Sequence, residues 1–265
     1  MQDHKLIYEA KKLPQRPGVY FYKNEDGKVL YIGKALSLRD RVTSYFQNDI
    51  SSKTVELLHH ADSISYIETG SEFEALLLEA RLIKLYKPRY NIALRDDKSY
   101  LYIFISTGEE YPKVFLTRKP KSLPAKLNRR ENYEGLKGEY FGPFPSGRSC
   151  AQILRWLRRI IPFCQQKTQN KRPCFYSHIG QCYPCPSYIV KQPESAIRLL
   201  KKEYRTNIFL LRKILAGSIE LVTRDLEKEM STLSKDENFE AAARIRNQIQ
   251  RLVWLFKNSP HTGEF

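Results

Sequence analysis

The stretch that decides the fold is GVYFYKNEDGKVLYIGK, residues 18–34. Two tyrosine-rich apolar runs flank NEDG, and the Asp26-Gly27 pair is a strong short-range hairpin signal. Alternation reaches back to Leu13, so residues 13–33 read as a β-hairpin. Tyrosines in such a ribbon can be simple packing, whereas Gly33-Lys34 invites a phosphate-loop reading. That loop needs G-x-x-x-x-G-K followed by Ser or Thr. Here Gly27 lies one residue too far from Gly33, and Ala35 follows Lys34, so the phosphate loop is excluded.

Working outward, SLRDRVTSYF begins with Ser37 and Asp40 at capping-box spacing, which predicts a helix. SISYIET (63–69) reads as a third strand. Ser71 with Glu74 opens a second helix, EALLLEARLIKLYK, which Pro88 closes. The first unit is therefore β-β-α-β-α over residues 12–97. Residues 98–163 read as a mixed β/α extension: SYLYIFIST and KVFLTRK form a strand pair, and GRSCAQILRWLRRIIPF resumes helical periodicity. A cysteine segment spans 164–192, and residues 193–265 are mainly helical, with a two-helix hairpin over about 218–255. The expected class is mixed α/β, of the α+β kind.

The 265 residues carry 45 Lys+Arg against 29 Asp+Glu, a formal charge of +16. Such an excess attracts polyanions, with nucleic acid first and an anionic membrane surface second. No stretch approaches the roughly 18–20 apolar residues of a membrane span, and MQDHKLIYEAKK has no apolar signal core. A soluble, cytoplasmic protein is expected, with no membrane partner.

The hairpin's chemistry becomes specific when charge is added. Strand 29–33 runs into Lys34, Arg39 and Arg41, and Arg41 shares a helical face with Tyr45 four residues on. A phosphodiester at this strand end would meet phenols and cations. A phenol ionises only near pH 10, so it serves as a base at neutral pH only where positive charge favours its phenolate. Lys34 and Arg41 are placed to supply that field. Glu79 lies within the apolar stripe Ala75, Leu76, Leu82 and Ile83, where a carboxylate costs several kcal/mol unless paired. A divalent cation would offset that cost, and so would a buried salt bridge, for instance to Arg41. The convergence of acid, phenols and cations points to metal-assisted phosphodiester cleavage.

GVY at 18–20 and YIG at 31–33, ten residues apart, resemble the paired signature of the GIY-YIG nucleases, with Val19 in place of the commoner isoleucine. YIGKALSLRDRVTSYF, EALLLEARLIKLYKPRYNI, DDKSYLYI and YFGPFPSG resemble, in order, the amino-terminal half of the UvrC family of nucleotide-excision-repair endonuclease subunits. The resemblance runs from about Leu13 to about Arg251. It implies a small nuclease domain with a central antiparallel sheet flanked by helices, incising damaged double-stranded DNA on the 3′ side of the lesion. Tyr20 and Tyr31 would be the motif tyrosines, one of them the base; adjacency to Lys34 favours Tyr31. Gly33 would let the DNA backbone approach, Lys34 and Arg41 would stabilise the phosphate, Glu79 would bind one Mg²⁺ or Mn²⁺, and Asn91 would complete the site. Arg39 and the stretch around Arg118, Lys119, Lys121, Arg129 and Arg130 are candidate DNA contacts.

Four of the five cysteines, Cys164, Cys174, Cys182 and Cys185, are separated by nine, seven and two residues. One Cys-x-x-Cys with two outlying thiols can close a zinc site or hold an iron–sulfur cluster. Cys185-Pro186 echoes a ferredoxin-type ending. The family resemblance implies a [4Fe-4S] cluster, although its last cysteine pair is commonly one residue wider; zinc is the alternative. Cys150 is expected in the core. NFEAAARIRNQI resembles the UVR motif, which implies docking to a UvrB-like protein through Phe239, Ala242, Ala243 and Ile245. The family's second nuclease domain and helix-hairpin-helix element do not fit after Phe265, so a fragment and a short single-incision homologue both remain open. Two other readings stay in play: a catalytically silent nucleic-acid-binding module whose tyrosines stack on bases, and an adaptor that docks through its terminal hairpin.

Overall fold

The computed structural model describes residues 2–47, 50–93, 100–118, 137–144, 146–166 and 172–257. The chain divides into two compact units: residues 1–98 with 253–265, and residues 99–252.

The first unit opens with α1 (Gln2–Lys12), a helix absent from the sequence reading. Leu6, Ala10 and Leu13, all buried, give it a one-sided stripe that locks it onto the core. β1 (Gly18–Lys23) and β2 (Val29–Ala35) form the expected hairpin. Its turn is tied by Gly27 N–H to the Asn24 carbonyl (2.9 Å) and by Lys28 N–H to Asn24 Oδ1 (2.8 Å). Gly27 adopts φ 75°, which favours glycine. α2 (Leu38–Thr43) starts at Ser37, whose hydroxyl accepts from Asp40 N–H, and a 3₁₀ turn (Ser44–Phe46) follows it.

α3 (Ser52–His60), also unforeseen, is capped by Ser51 and buries Leu57 and Leu58. β3 (Ser63–Glu68) pairs antiparallel with β1, giving the strand order β2-β1-β3. α4 (Glu72–Tyr86) is capped by the Ser71 hydroxyl, while Glu74 reaches back to Gly70 N–H at 2.7 Å. It ends at Lys87 in a left-handed conformation, just before Pro88. α4 packs on β1 and β2, and α5 (Arg89–Ala93) packs on β2.

The second unit contains another antiparallel sheet, ordered β5-β4-β6, from β4 (Leu101–Ser106), β5 (Val114–Arg118) and β6 (Gly138–Phe144). β6 was not expected, since its Gly and Pro content disguises a strand. Among its core-forming residues are Ile103, Ile105, Val114 and Phe144, each buried. α6 (Gly147–Ile160) covers this sheet and buries Cys150. Two short turns of helix, α7 (Phe175–His178) and α8 (Pro186–Ile189), lie within the cysteine segment. α9 (Glu194–Leu215) carries Tyr204, whose buried hydroxyl donates to the Pro112 carbonyl at 2.6 Å. α10 (Ile219–Lys235) and α11 (Phe239–Lys257) are joined by residues 236–238, where Glu237 takes φ 58° and Asn238 Oδ1 accepts from Ala241 N–H.

Candidate active site

β2 lies at an edge of its sheet, so N–H groups facing away from β1 need acceptors from elsewhere. Two buried side chains supply them. Asn91 accepts from Ile32 N–H at 2.8 Å and donates to the Ile32 carbonyl at 2.7 Å, closing the edge as a further strand would. Glu79, 4% exposed, accepts Lys34 N–H on Oε1 at 2.9 Å. Glu72, two helical turns earlier on α4, takes the Lys34 ammonium at 2.5 Å and is itself buried. Lys34 is thus gripped at backbone and side chain by carboxylates of a single helix.

The phenols gather on the sheet. Tyr22 stands directly opposite Tyr31, and Tyr20 opposite Gly33. With Tyr45 they form a cluster in which every pair of ring centroids lies 5.4 to 6.5 Å apart. The Tyr20 and Tyr45 hydroxyls hydrogen bond at 2.8 Å, and Tyr45 also bonds Tyr31. A side chain at Gly33 would collide with the Tyr20 phenol. Close packing of the Tyr20 phenol against β2 is what this glycine permits. Arg41 places its guanidinium 5.1 Å from the Tyr45 ring centroid.

Burial pushes the phenols of Tyr20 and Tyr31 well above 10. Neighbouring tyrosines add to the rise, and the Glu79 carboxylate raises Tyr31 further; Arg41 opposes it without prevailing. The expectation that Lys34 and Arg41 draw a phenol toward phenolate therefore fails for the protein's own charges. Burial outweighs Arg41, and the Lys34 ammonium is engaged by Glu72. The Glu79 carboxylate, buried at the β2 edge, nonetheless shares a charge interaction with the Tyr31 phenol. A buried carboxylate beside phenolic oxygens is a hard oxygen donor set, which fits Mg²⁺ or Mn²⁺.

Tyr20, Tyr31, Gly33, Lys34, Arg41, Glu79 and Asn91 are thus brought together in the first unit. Tyr45 and Glu72 join them without having been named as site residues. Tyr45 had a signal in its four-residue offset from Arg41, whereas Glu72 looked like an ordinary acid in a helix's first turn. Arg39, partly exposed, donates its Nε to the Leu13 carbonyl at 2.7 Å. Arg118 is exposed at the end of β5, while Lys119, Lys121, Arg129 and Arg130 lie outside the described residues. Tyr20 and Tyr22 are fully buried, so neither offers a face on which a base could stack.

In the second unit the sulfurs of Cys164, Cys174, Cys182 and Cys185 all lie within 4.8 Å of one another. The Cys174–Cys185 separation is 3.9 Å. This is near the roughly 3.8 Å edge of a tetrahedron with ~2.3 Å metal–sulfur bonds. Cys182 is pushed up by its hydrogen bonds with Cys164 and Cys185 and then by burial, while Cys185, the group those bonds favour as thiolate, is pulled down. The donor set fits a thiolate-bound metal centre.

The terminal helices are less bare than their stripes implied. α10 packs on α9 with Val222 and Leu226 buried. Ala242 is likewise buried, Ala243 and Ile245 are half-buried, and Phe239 stands 65% exposed.

Comparison with known proteins follows the same divisions. The UvrC-like GIY-YIG domain matches residues 16–92, the middle domain of UvrC/Cho excinucleases residues 100–193, and the UvrB/uvrC motif residues 220–253. UvrABC system protein C of Syntrophomonas wolfei is 38% identical over 260 residues, covering 96% of this chain and 39% of that protein. Its counterpart from Carboxydothermus hydrogenoformans is 40% identical over 254 residues, covering 93% of this chain and 38% of that protein. The chain thus spans less than two-fifths of the length of these relatives. The GIY-YIG amino-terminal endonuclease domain of UvrC from Thermotoga maritima, crystallised with its catalytic magnesium, is similar at 41% identity. That match covers 32% of this chain and 94% of that one, with a TM-score of 0.31.

Proposed function

We propose, for a chain that belongs to the UvrC family, that it is a metal-dependent DNA endonuclease of nucleotide excision repair, cutting on the 3′ side of a lesion after recruitment by a UvrB-like partner. The observation that carries this reading is the buried Glu79 carboxylate at the β2 edge, beside the linked phenols of Tyr31, Tyr45 and Tyr20. Glu79 would hold the divalent cation. When bound, that ion supplies positive charge at the scissile phosphate and lowers the pKa of water.

The chain's own residues do the rest. Tyr31, nearest in charge coupling to Glu79, takes the proton of the attacking water as its phenolate. It first gives its own proton to solvent, a loss that the bound cation's charge would favour against burial. Tyr45, which bonds both Tyr31 and Tyr20, orients that phenol. Arg41 at the rim of the cluster holds a phosphate oxygen as charge builds in the transition state. Lys34 and Asn91 act by position: they fix the β2 edge against which Glu79 is set. The charge of +16 favours the approach of duplex DNA.

Cys164, Cys174, Cys182 and Cys185 hold a [4Fe-4S] cluster, with zinc as the alternative occupant, and exposed Phe239 is the foremost contact for the partner. The site of action is the cytoplasm; among the described residues no helix is long and apolar enough to cross a membrane.

The test is a nicking assay on an end-labelled duplex carrying one lesion, with the partner protein, with and without Mg²⁺. A single Mg²⁺-dependent cut 3′ of the lesion, absent in Glu79→Ala, is expected. Equal nicking by Glu79→Ala would overturn the proposal.

A further inference from the structure

Arg158 is a buried cation that the nuclease site does not use. It belongs to the run Arg155-Trp156-Leu157-Arg158-Arg159 of α6; Arg155 and Arg159 are exposed, but Arg158 is 4% exposed. Its guanidinium lies 3.6 Å from the Tyr176 ring centroid and 4.6 Å from that of Phe163. Tyr176 follows Cys174 by two residues and Phe163 directly precedes Cys164, so each ring that clasps the guanidinium sits within two residues of a cluster cysteine. Its Nε and Nη2 are buried without a hydrogen-bond acceptor, and among the described residues no carboxylate pairs with it.

A guanidinium cannot escape this cost by deprotonating, because it stays charged at any physiological pH. Burying it without an opposite charge is strongly unfavourable, and ring contacts offset only part of that. The neighbouring thiols resolve the imbalance. Once a metal centre forms they are thiolates, and a zinc ion or a [4Fe-4S] core with four cysteinates alike leaves the site net negative.

We infer that Arg158 is the built-in counter-charge of the cysteine centre, its spare N–H groups donating to cysteinate sulfur when the centre is loaded. This rests on the reading that the four cysteines hold a metal centre. Arg158 is a positioning residue: it tunes retention and electronic character of the centre without ligating it. Burial works against its charged form; the Tyr176 phenol, through charge and a hydrogen bond, opposes burial most, and Cys182 and Cys174 add to that support.

The test uses the full chain, purified anaerobically, as wild type, Arg158→Met and Arg158→Lys. One arm is loaded with zinc alone and the other with ferrous iron and sulfide. Metal retention is read by chelator competition, and thermal stability is measured on loaded and metal-stripped protein. In the arm that loads, Arg158→Met should weaken retention about 10- to 100-fold, with Arg158→Lys recovering most of it. In the iron arm Arg158→Met should also shift the reduction potential more negative, since a positive charge near the cluster is lost. Loaded Arg158→Met should be less stable than wild type, and stripped Arg158→Met at least as stable, a reversal that simple ring packing would not give. Equal retention, or equal destabilisation in both states, overturns the inference alone. A wild-type chain that takes up neither zinc nor cluster overturns the metal centre and the inference with it.

Discussion

The edge of β2 and the cysteine segment both gather buried ionisable groups, but cause and effect run in opposite directions. At the β2 edge the framework comes first. The hairpin, α4 and α5 are fixed by strand pairing and apolar packing, and they leave two N–H groups that Glu79 and Asn91 satisfy. Among the described residues of the cysteine segment, regular structure amounts to two helices of four residues, and four thiols converge beside them. There a metal held by the four thiols would supply much of the order. One region is a scaffold that makes a site; in the other, a bound metal would help make the scaffold.

The contrast is broken or sharpened first by removing donors from the weaker framework. Cys182→Ser with Cys185→Ser should collapse protection of residues 172–192 in hydrogen exchange while leaving β1–β3 unchanged, because a thiolate metal site of this kind contributes on the order of 10 kcal/mol to local folding. Equal exchange in wild type and the double variant would show that the segment stands without its centre. Glu79→Ala should act in the reverse manner. Nicking should fall by about a hundred- to a thousand-fold, while the melting temperature changes little, since relief of a buried carboxylate is set against the Lys34 N–H left unpaired.

Asn91→Ala probes the framework itself. It leaves the Ile32 N–H and carbonyl at the sheet edge unpaired, so chemical denaturation should show a loss of about 1–3 kcal/mol. Nicking should fall with it as Glu79 loses its fixed edge.

The smallest effect concerns Tyr22, whose hydroxyl is buried without a hydrogen bond. Tyr22→Phe should leave nicking unchanged and cost less than about 1 kcal/mol near neutral pH. Burial raises the Tyr22 and Tyr20 phenols, so stability is fully present below the unfolded value near 10 and is lost as pH rises above it. Tyr22→Phe should flatten that alkaline decline by up to ~1.4 kcal/mol per pH unit. A steepness unchanged from wild type would place the lost phenol outside the buried cluster.

The same contrast explains what the sequence disclosed. The hairpin, both capping boxes and the acid in the α4 stripe could be read directly, because turn chemistry and periodicity are local. α1 has a clear stripe in Leu6, Ala10 and Leu13, but it was weighed only as a possible signal segment. β6 was hidden because its pairing with β4 is a non-local fact that Gly142 and Pro143 contradict locally. The roles of Lys34 and Gly33 turned on contacts across the fold, to Glu72 and Tyr20, which no spacing along the chain encodes. Arg158 escaped notice because its neighbours Arg155 and Arg159 look the same in sequence and differ only in the face they occupy.

The account stands on Glu79 holding one divalent ion at the β2 edge. Titration of Mn²⁺, followed by the loss of its free-ion paramagnetic resonance signal, measures this directly on wild type and Glu79→Gln at matched fold. One tight Mn²⁺ per wild-type chain, absent in Glu79→Gln, is the predicted result. A Glu79→Gln chain that binds the ion as wild type does would contradict it.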